Sequence, residues 1–107
     1  MTTSHFFGDA EHPFDLTADL LTELERTTGT GIGALAKRTF SGGFHYADLL
    51  AIVRLGLIGG GMSPKDAADL VAAYAPKTPI AELYPVAAAI LEARYFGDVT
   101  TTEGIPE

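Results

Sequence analysis

The sequence contains no cysteine, which excludes disulfides and thiolate metal sites and leaves the redox compartment unreadable. Basic residues are scarce. Only 7 Lys and Arg stand against 14 Asp and Glu, a formal net charge of −7. Attachment to a phosphate backbone depends on clustered Lys and Arg that displace counterions, so nucleic acid is not an expected partner. Long apolar runs are also missing. Arg54, Arg94 and glycines interrupt the longest ones, and none approaches the ~20 residues that span a bilayer. A membrane is therefore not an expected partner either. The opening MTTSHFFGDAEH has neither a basic start nor an apolar run, so no signal peptide is expected, and the expected location is intracellular.

What is present is ordinary for a folded chain: 47% hydrophobic and 20% charged residues over 107 positions. That length and composition predict one domain over 1–107, with an ordered core at about 5–97 and a loose polar tail, DVTTTEGIPE, at 98–107. Two aromatic runs, Phe6–Phe7 and Phe14–Leu16, flank GDAEH and predict a short hairpin, with Pro13 at a strand start or edge. Such a hairpin needs helices to cover one face.

Five helices are expected after it. In LTADLLTELERTTG, Thr17 is the N-cap, Leu20, Leu21 and Leu24 form the apolar stripe, and Gly29 ends the helix. IGALAKRTFSGG follows, with Ile32, Leu35, Ala36 and Phe40 on one face. FHYADLLAIVRLGLIGGG is apolar nearly all round, the mark of a central buried helix, and Gly59, Gly60 and Gly61 stop it. MSPKDAADLVAAYAP starts on the cap Ser63, with Pro64 at the first helical position and Asp66 three residues after the cap. In TPIAELYPVAAAILEARYFG, Thr78 is the expected cap. Ile80, Leu83, Tyr84, Ala87, Ile90, Leu91 and Arg94 share a face, and Pro85 kinks or breaks the first two turns. The expected fold is mainly α: a compact bundle of about five short helices with a short N-terminal β-hairpin.

Several segments invite a chemical reading. TGTGIGALAKR, residues 28–38, places Gly29, Gly31 and Gly33 before Lys37 and Arg38, as if around a phosphate. A dinucleotide loop, however, needs G-x-G-x-x-G after a buried strand, and a P-loop ends in G-K-[ST]. Here the spacing is G-x-G-x-G after an amphipathic helix, so a helix–helix joint is expected, with Gly31 and Gly33 permitting close backbone approach. GGGMSP has a helix N-terminus that Ser63 and Asp66 already cap. His5 and His12 could face each other across the expected hairpin, and His45 is expected as a surface or capping residue. They lack the tight spacing of zinc ligands. Glu23, Glu25, Asp66, Asp69, Glu82 and Glu92 fall on polar helix faces, and Ser4, Ser41 and Ser63 lack a nucleophile context. The segment from Tyr46 to Ala75 is helix–turn–helix in outline, but Asp66 and Asp69 on its second helix would repel phosphates. Of Phe6, Phe7, Phe40, Phe44, Tyr46, Tyr95 and Phe96, most are expected in the core and a few in an exposed docking patch. No catalytic, cofactor-binding or metal residue is assigned, and no cofactor is expected.

Three blocks carry a family resemblance: ELERTTGTGIGAL (23–35), RLGLIGGGMSP (54–64) and AAAILEARYFG (87–97). Over residues 5–97 the chain resembles the gene transfer agent tail proteins of alphaproteobacteria and siphophage-like prophages, a family labelled tail tube and similar to tail assembly chaperones. The resemblance implies a non-enzymatic role in tail assembly, with the tape-measure protein and tail tube subunits as partners. It places the protein in the bacterial cytoplasm during assembly, or in the particle tail. Self-association as a homo-oligomer stays open. A tube wall implies long β-strands, and one short hairpin fits that poorly. A groove between helices that accepts an amphipathic helix fits the chaperone better.

Overall fold

The N-terminal strands pair as a tight antiparallel hairpin, β1 (Thr3–Phe7) and β2 (Ala10–Phe14), in the register Thr3–Phe14, His5–His12 and Phe7–Ala10. The turn is only Gly8 and Asp9. Gly8 has φ 70°, and among the described residues no non-glycine residue has positive φ, which is the pattern of a type II′ turn. Ala10, Glu11 and His12, expected in the loop, thus belong to β2. A two-residue turn leaves them nowhere else to go. The computed structural model describes residues 2–97. The expected loose tail at 98–107 lies outside the described residues.

Five helices follow: α1 (Ala18–Thr28), α2 (Ile32–Phe40), α3 (Tyr46–Gly59), α4 (Pro64–Tyr74) and α5 (Ile80–Phe96), with a 3-10 turn at Ala75–Lys77 before α5. The local signals explain most boundaries. Thr17 accepts from Leu20 N–H at 3.4 Å, and Ser63 accepts from Asp66 N–H at 3.1 Å. Gly29, in the left-handed region at φ 69°, ends α1. Thr78 is not the cap of α5. Its hydroxyl donates to the Tyr74 carbonyl at 2.8 Å, so it closes the preceding turn, and Pro79 sits at the N-cap. α5 runs unbroken through Pro85. Only the Ala81 carbonyl loses its intrahelical donor there, and Ala81 is exposed.

α3 is the axis of the core. Leu49, Ile52, Val53, Leu55 and Leu57 are buried on different sides of it, each contributing about 1.5–3 kcal/mol relative to exposure. α5 packs on it with Leu83, Ala87, Ile90 and Leu91. Ile80, expected on that face, is exposed, because α5 begins beyond the edge of the core. The hairpin is covered on one face, where Phe7 and Phe14 are buried.

The chain leaving β2 comes close to the backbone at the end of α3. A Cβ on Gly59 would overlap the Asp15 carbonyl oxygen, and one on Gly60 the Pro13 carbonyl oxygen. Asp15 N–H donates to the Gly56 carbonyl at 3.0 Å. These glycines therefore stop a helix and also admit the backbone that leaves β2.

Candidate functional site

The glycine-rich joint between α1 and α2 is filled by the chain itself. The Glu25 carboxylate reaches across it and accepts from Ile32 N–H at 2.7 Å. Gly31 is the N-cap of α2 and has no side chain to do so. A helix N-terminus attracts anions, and here a carboxylate of the preceding helix takes that place. The expected close packing at Gly31 and Gly33 is not observed. A Cβ on Gly33 would meet nothing within 4 Å, and one on Gly31 only Glu25 Oε2 at 3.9 Å. The tight backbone approach is at Gly59 and Gly60 instead.

Arg38 is not a surface cation. Its Nε and Nη2 donate to the two carboxylate oxygens of Asp48 at 2.9 and 2.8 Å. Asp48 is buried, its side chain 3% exposed against 26% for Arg38. The same carboxylate accepts from His45 N–H at 2.9 Å and so caps α3. Burial pushes the Asp48 carboxyl up, but the Arg38 guanidinium and the His45 N–H outweigh it and hold the group below the usual carboxylate range. This pair ties the end of α2 to the start of α3. Asp48 three residues after His45 was the only sequence sign of it; nothing in the spacing marks Arg38 as its partner.

The remaining candidates are dispersed. His5 and His12 are cross-strand neighbours, but their Nε2 atoms bond locally, to Thr3 Oγ1 and Asp9 Oδ1, each at 2.9 Å. His45 is the exposed N-cap of α3. Glu23 pairs with Arg26, and Asp69 with Lys65 at 2.7 Å. Asp66, Glu82 and Glu92 are exposed. Hydrogen bonds from His12, Arg26 and Arg38 hold the Asp9, Glu23 and Asp48 carboxyls below their ordinary range, the opposite of a general acid working near neutrality. Ser63 is spent on its cap, Ser41 lies against the Arg38 carbonyl, and Ser4 is on the exposed face of β1. At the start of α4, Lys65 is engaged by Asp69, and Asp66 is exposed beside it. This helix is badly charged for a DNA groove.

The aromatic residues make the one surface that stands out. Only Phe7 of the seven singled out is buried, and the expectation that most are core is corrected. Phe40 and Phe44 are half-buried, while Phe6, Tyr46, Tyr95 and Phe96 are exposed. They sit at element ends, where the core has run out. Phe44 stacks on Tyr84 with ring centroids 4.8 Å apart, and the Tyr84 hydroxyl donates to the Thr39 carbonyl at 2.9 Å. Farther along α5, Phe40 meets Tyr95 edge-on at 6.1 Å and Phe96 in a stack at 6.0 Å, with Tyr95 and Phe96 at 4.9 Å. Tyr95 is 52% exposed and Phe96 57%. Beside them opens a cleft of about 430 Å³, lined by Leu21 of α1, Ile32 of α2 and Leu91, Arg94 and Tyr95 of α5. Sequence reasoning placed Leu21, Ile32, Leu91 and Arg94 on core-facing stripes. Periodicity identifies such a stripe but not the place where two stripes part.

Residues 2–97 match the protein family described as phage tail tube protein, GTA-gp10. The chain belongs to this phage tail family. No curated protein and no solved structure matches it. Within this tail protein, the blocks that carry the resemblance have definite places. RLGLIGGGMSP is the α3–α4 joint that receives the strand. ELERTTGTGIGAL is the Glu25-capped joint and contributes Ile32 to the cleft. AAAILEARYFG is the end of α5, which supplies Leu91, Arg94, Tyr95 and Phe96. Among the described residues, no helix is long and apolar enough to cross a membrane, and no group of three or more His, Asp or Glu is placed to hold a metal ion.

Proposed function

We propose that this tail family member is an assembly chaperone, which binds the tape-measure protein and tail tube subunits in the bacterial cytoplasm and performs no catalysis. The carrying observation is the pairing of a helical body with an exposed aromatic surface. Its described sheet is a single hairpin of two five-residue strands, short for a tube wall. The helices instead leave an apolar cleft with an aromatic lip, a shape that suits binding of a partner's apolar segment.

Co-expression with the tape-measure and tube proteins tests the proposal. The expected result is a rise in the soluble fraction of the tape-measure protein and its co-purification with this chain. Unchanged solubility without co-purification would overturn the role. So would recovery of the chain from purified particles in the same number of copies as the tube subunit.

A further inference from the structure

We infer that the outer edge of β1 pairs antiparallel with the β1 edge of a second copy of this chain and joins the two hairpins into one sheet. The inference is independent of the assembly role proposed above. The turn fixes which backbone groups point outward. With only Gly8 and Asp9 between the strands, Phe7 and Ala10 form a hydrogen-bonded pair, and such pairs alternate along the ladder with non-bonded ones. The bonded pairs are Phe7–Ala10, His5–His12 and Thr3–Phe14, so the N–H and C=O groups of Ser4 and Phe6 point away from β2. No hydrogen bond reaches those groups from the described residues. On the other edge the outward groups belong to Glu11 and Pro13. Pro13 has no N–H, and its carbonyl lies against Gly60 at the end of α3. The β2 edge is closed and the β1 edge is open.

The side chains divide the two edges in the same way. Edges that are kept from pairing carry charge, proline or a covering element. β2 has all three, in Glu11, Pro13 and the end of α3. β1 contains no Lys, Arg, Asp, Glu or Pro. Its outer face carries Ser4 and Phe6, and Phe6 is 66% exposed.

The unpaired groups of Ser4 and Phe6 specify an extended strand, since only extended backbone offers partners at their spacing. A second β1 meets them along its whole length. With His5 of each copy on a twofold axis, Ser4 faces the second copy's Phe6 and Phe6 the second copy's Ser4, as an isologous contact requires. The two Phe6 rings lie diagonally across the seam, within reach of each other. Each copy uses its open edge in doing so, and the closed β2 edges end the assembly at two. The −7 of each chain opposes approach, but β1 carries none of that charge, so salt screens the repulsion and leaves the seam intact. The seam is short, which makes the dimer weak and dependent on high protein concentration.

The test is sedimentation equilibrium of the full chain over a wide range of concentrations, in low and high salt, with amide exchange followed by NMR. The expected result is a monomer–dimer equilibrium that tightens with salt. The Ser4 and Phe6 amides should exchange more slowly as concentration rises, while the His5 amide, already bonded to β2, does not change. Ser4→Pro removes an outward N–H and with it half of the interchain hydrogen bonds, and is expected to weaken the dimer about tenfold or more. Phe6→Lys sets like charges across the seam and is expected to do the same. Because Phe6 is exposed, this variant keeps the test decisive if circular dichroism shows that Ser4→Pro does not fold. Tyr95→Ala, at an exposed aromatic on α5, is the control and leaves the dimer unchanged. A monomer at every concentration would overturn the inference. So would a dimer that Ser4→Pro and Phe6→Lys leave intact, one that Tyr95→Ala dissolves, or growth beyond two copies. Slowed exchange at Ser4 and Phe6 only when another tail protein is added would assign the edge to a foreign strand and also overturn it.

Discussion

Arg38 and Asp48 join the end of α2 to the start of α3 through two hydrogen bonds of 2.9 and 2.8 Å, and the carboxylate is the more deeply buried partner. Removing the guanidinium therefore costs more than removing a surface charge, since it strands a buried anion. Arg38→Met is expected to destabilise the chain by about 3 kcal/mol at pH 7, measured by urea unfolding. The native carboxyl is held low, so its contribution is fully present above the unfolded value of an Asp and is lost as pH falls through the lowered one. Without Arg38 the carboxyl takes up its proton more readily. The gap between the two proteins is expected to be wide at neutral pH and narrow in acid; a constant gap would refute the account.

Two glycine-to-alanine substitutions are expected to have opposite signs. Gly33 lies within α2 with open space around it, and alanine there gains about 0.5–1 kcal/mol from helix propensity. Gly59 meets the Asp15 carbonyl, and alanine must push the strand connection away, at a cost of about 3 kcal/mol or more. Thermal unfolding of both variants reads the contrast.

Glu25→Ala removes the side chain that caps α2 among the described residues. The expected loss is about 1 kcal/mol, with no gain in nucleotide affinity. Calorimetry with ATP after the substitution checks the second half.

Thr39 is wholly buried, and its hydroxyl has no hydrogen-bond partner among the described residues. Thr39→Val keeps the shape and removes an unsatisfied polar atom. The expected change is a gain of up to about 1 kcal/mol, and a clear loss on thermal unfolding would contradict it.

The elements were legible because they rest on local signals. Thr17, Ser63 and Gly29 mark helix ends by what they do to their immediate neighbours, and the all-round apolarity of α3 announces a central helix. The misreadings concern residues whose role depends on distant chain. Thr78 has the chemistry of a cap, but the Tyr74 carbonyl competes for its hydroxyl. Gly31 and Gly59 are the same residue type in similar company, and only the path of the strand through Asp15 makes one of them indispensable. The candidate cleft was half legible. Aromatics near element ends pointed to a docking surface, while its position depended on where α1 and α5 diverge.

The contact at Gly56, Gly59 and Gly60 also governs how the molecule opens. β2 and its exit to Asp15 are locked onto the last turns of α3 by a hydrogen bond and by backbone contact across more than forty residues of chain. The hairpin therefore cannot peel away as an independent flap; releasing it exposes the end of the central helix. Amide protons of His5 and His12, though in a hairpin of two short strands, should then exchange as slowly as those of α3, and the first strand leaves only when the whole core does.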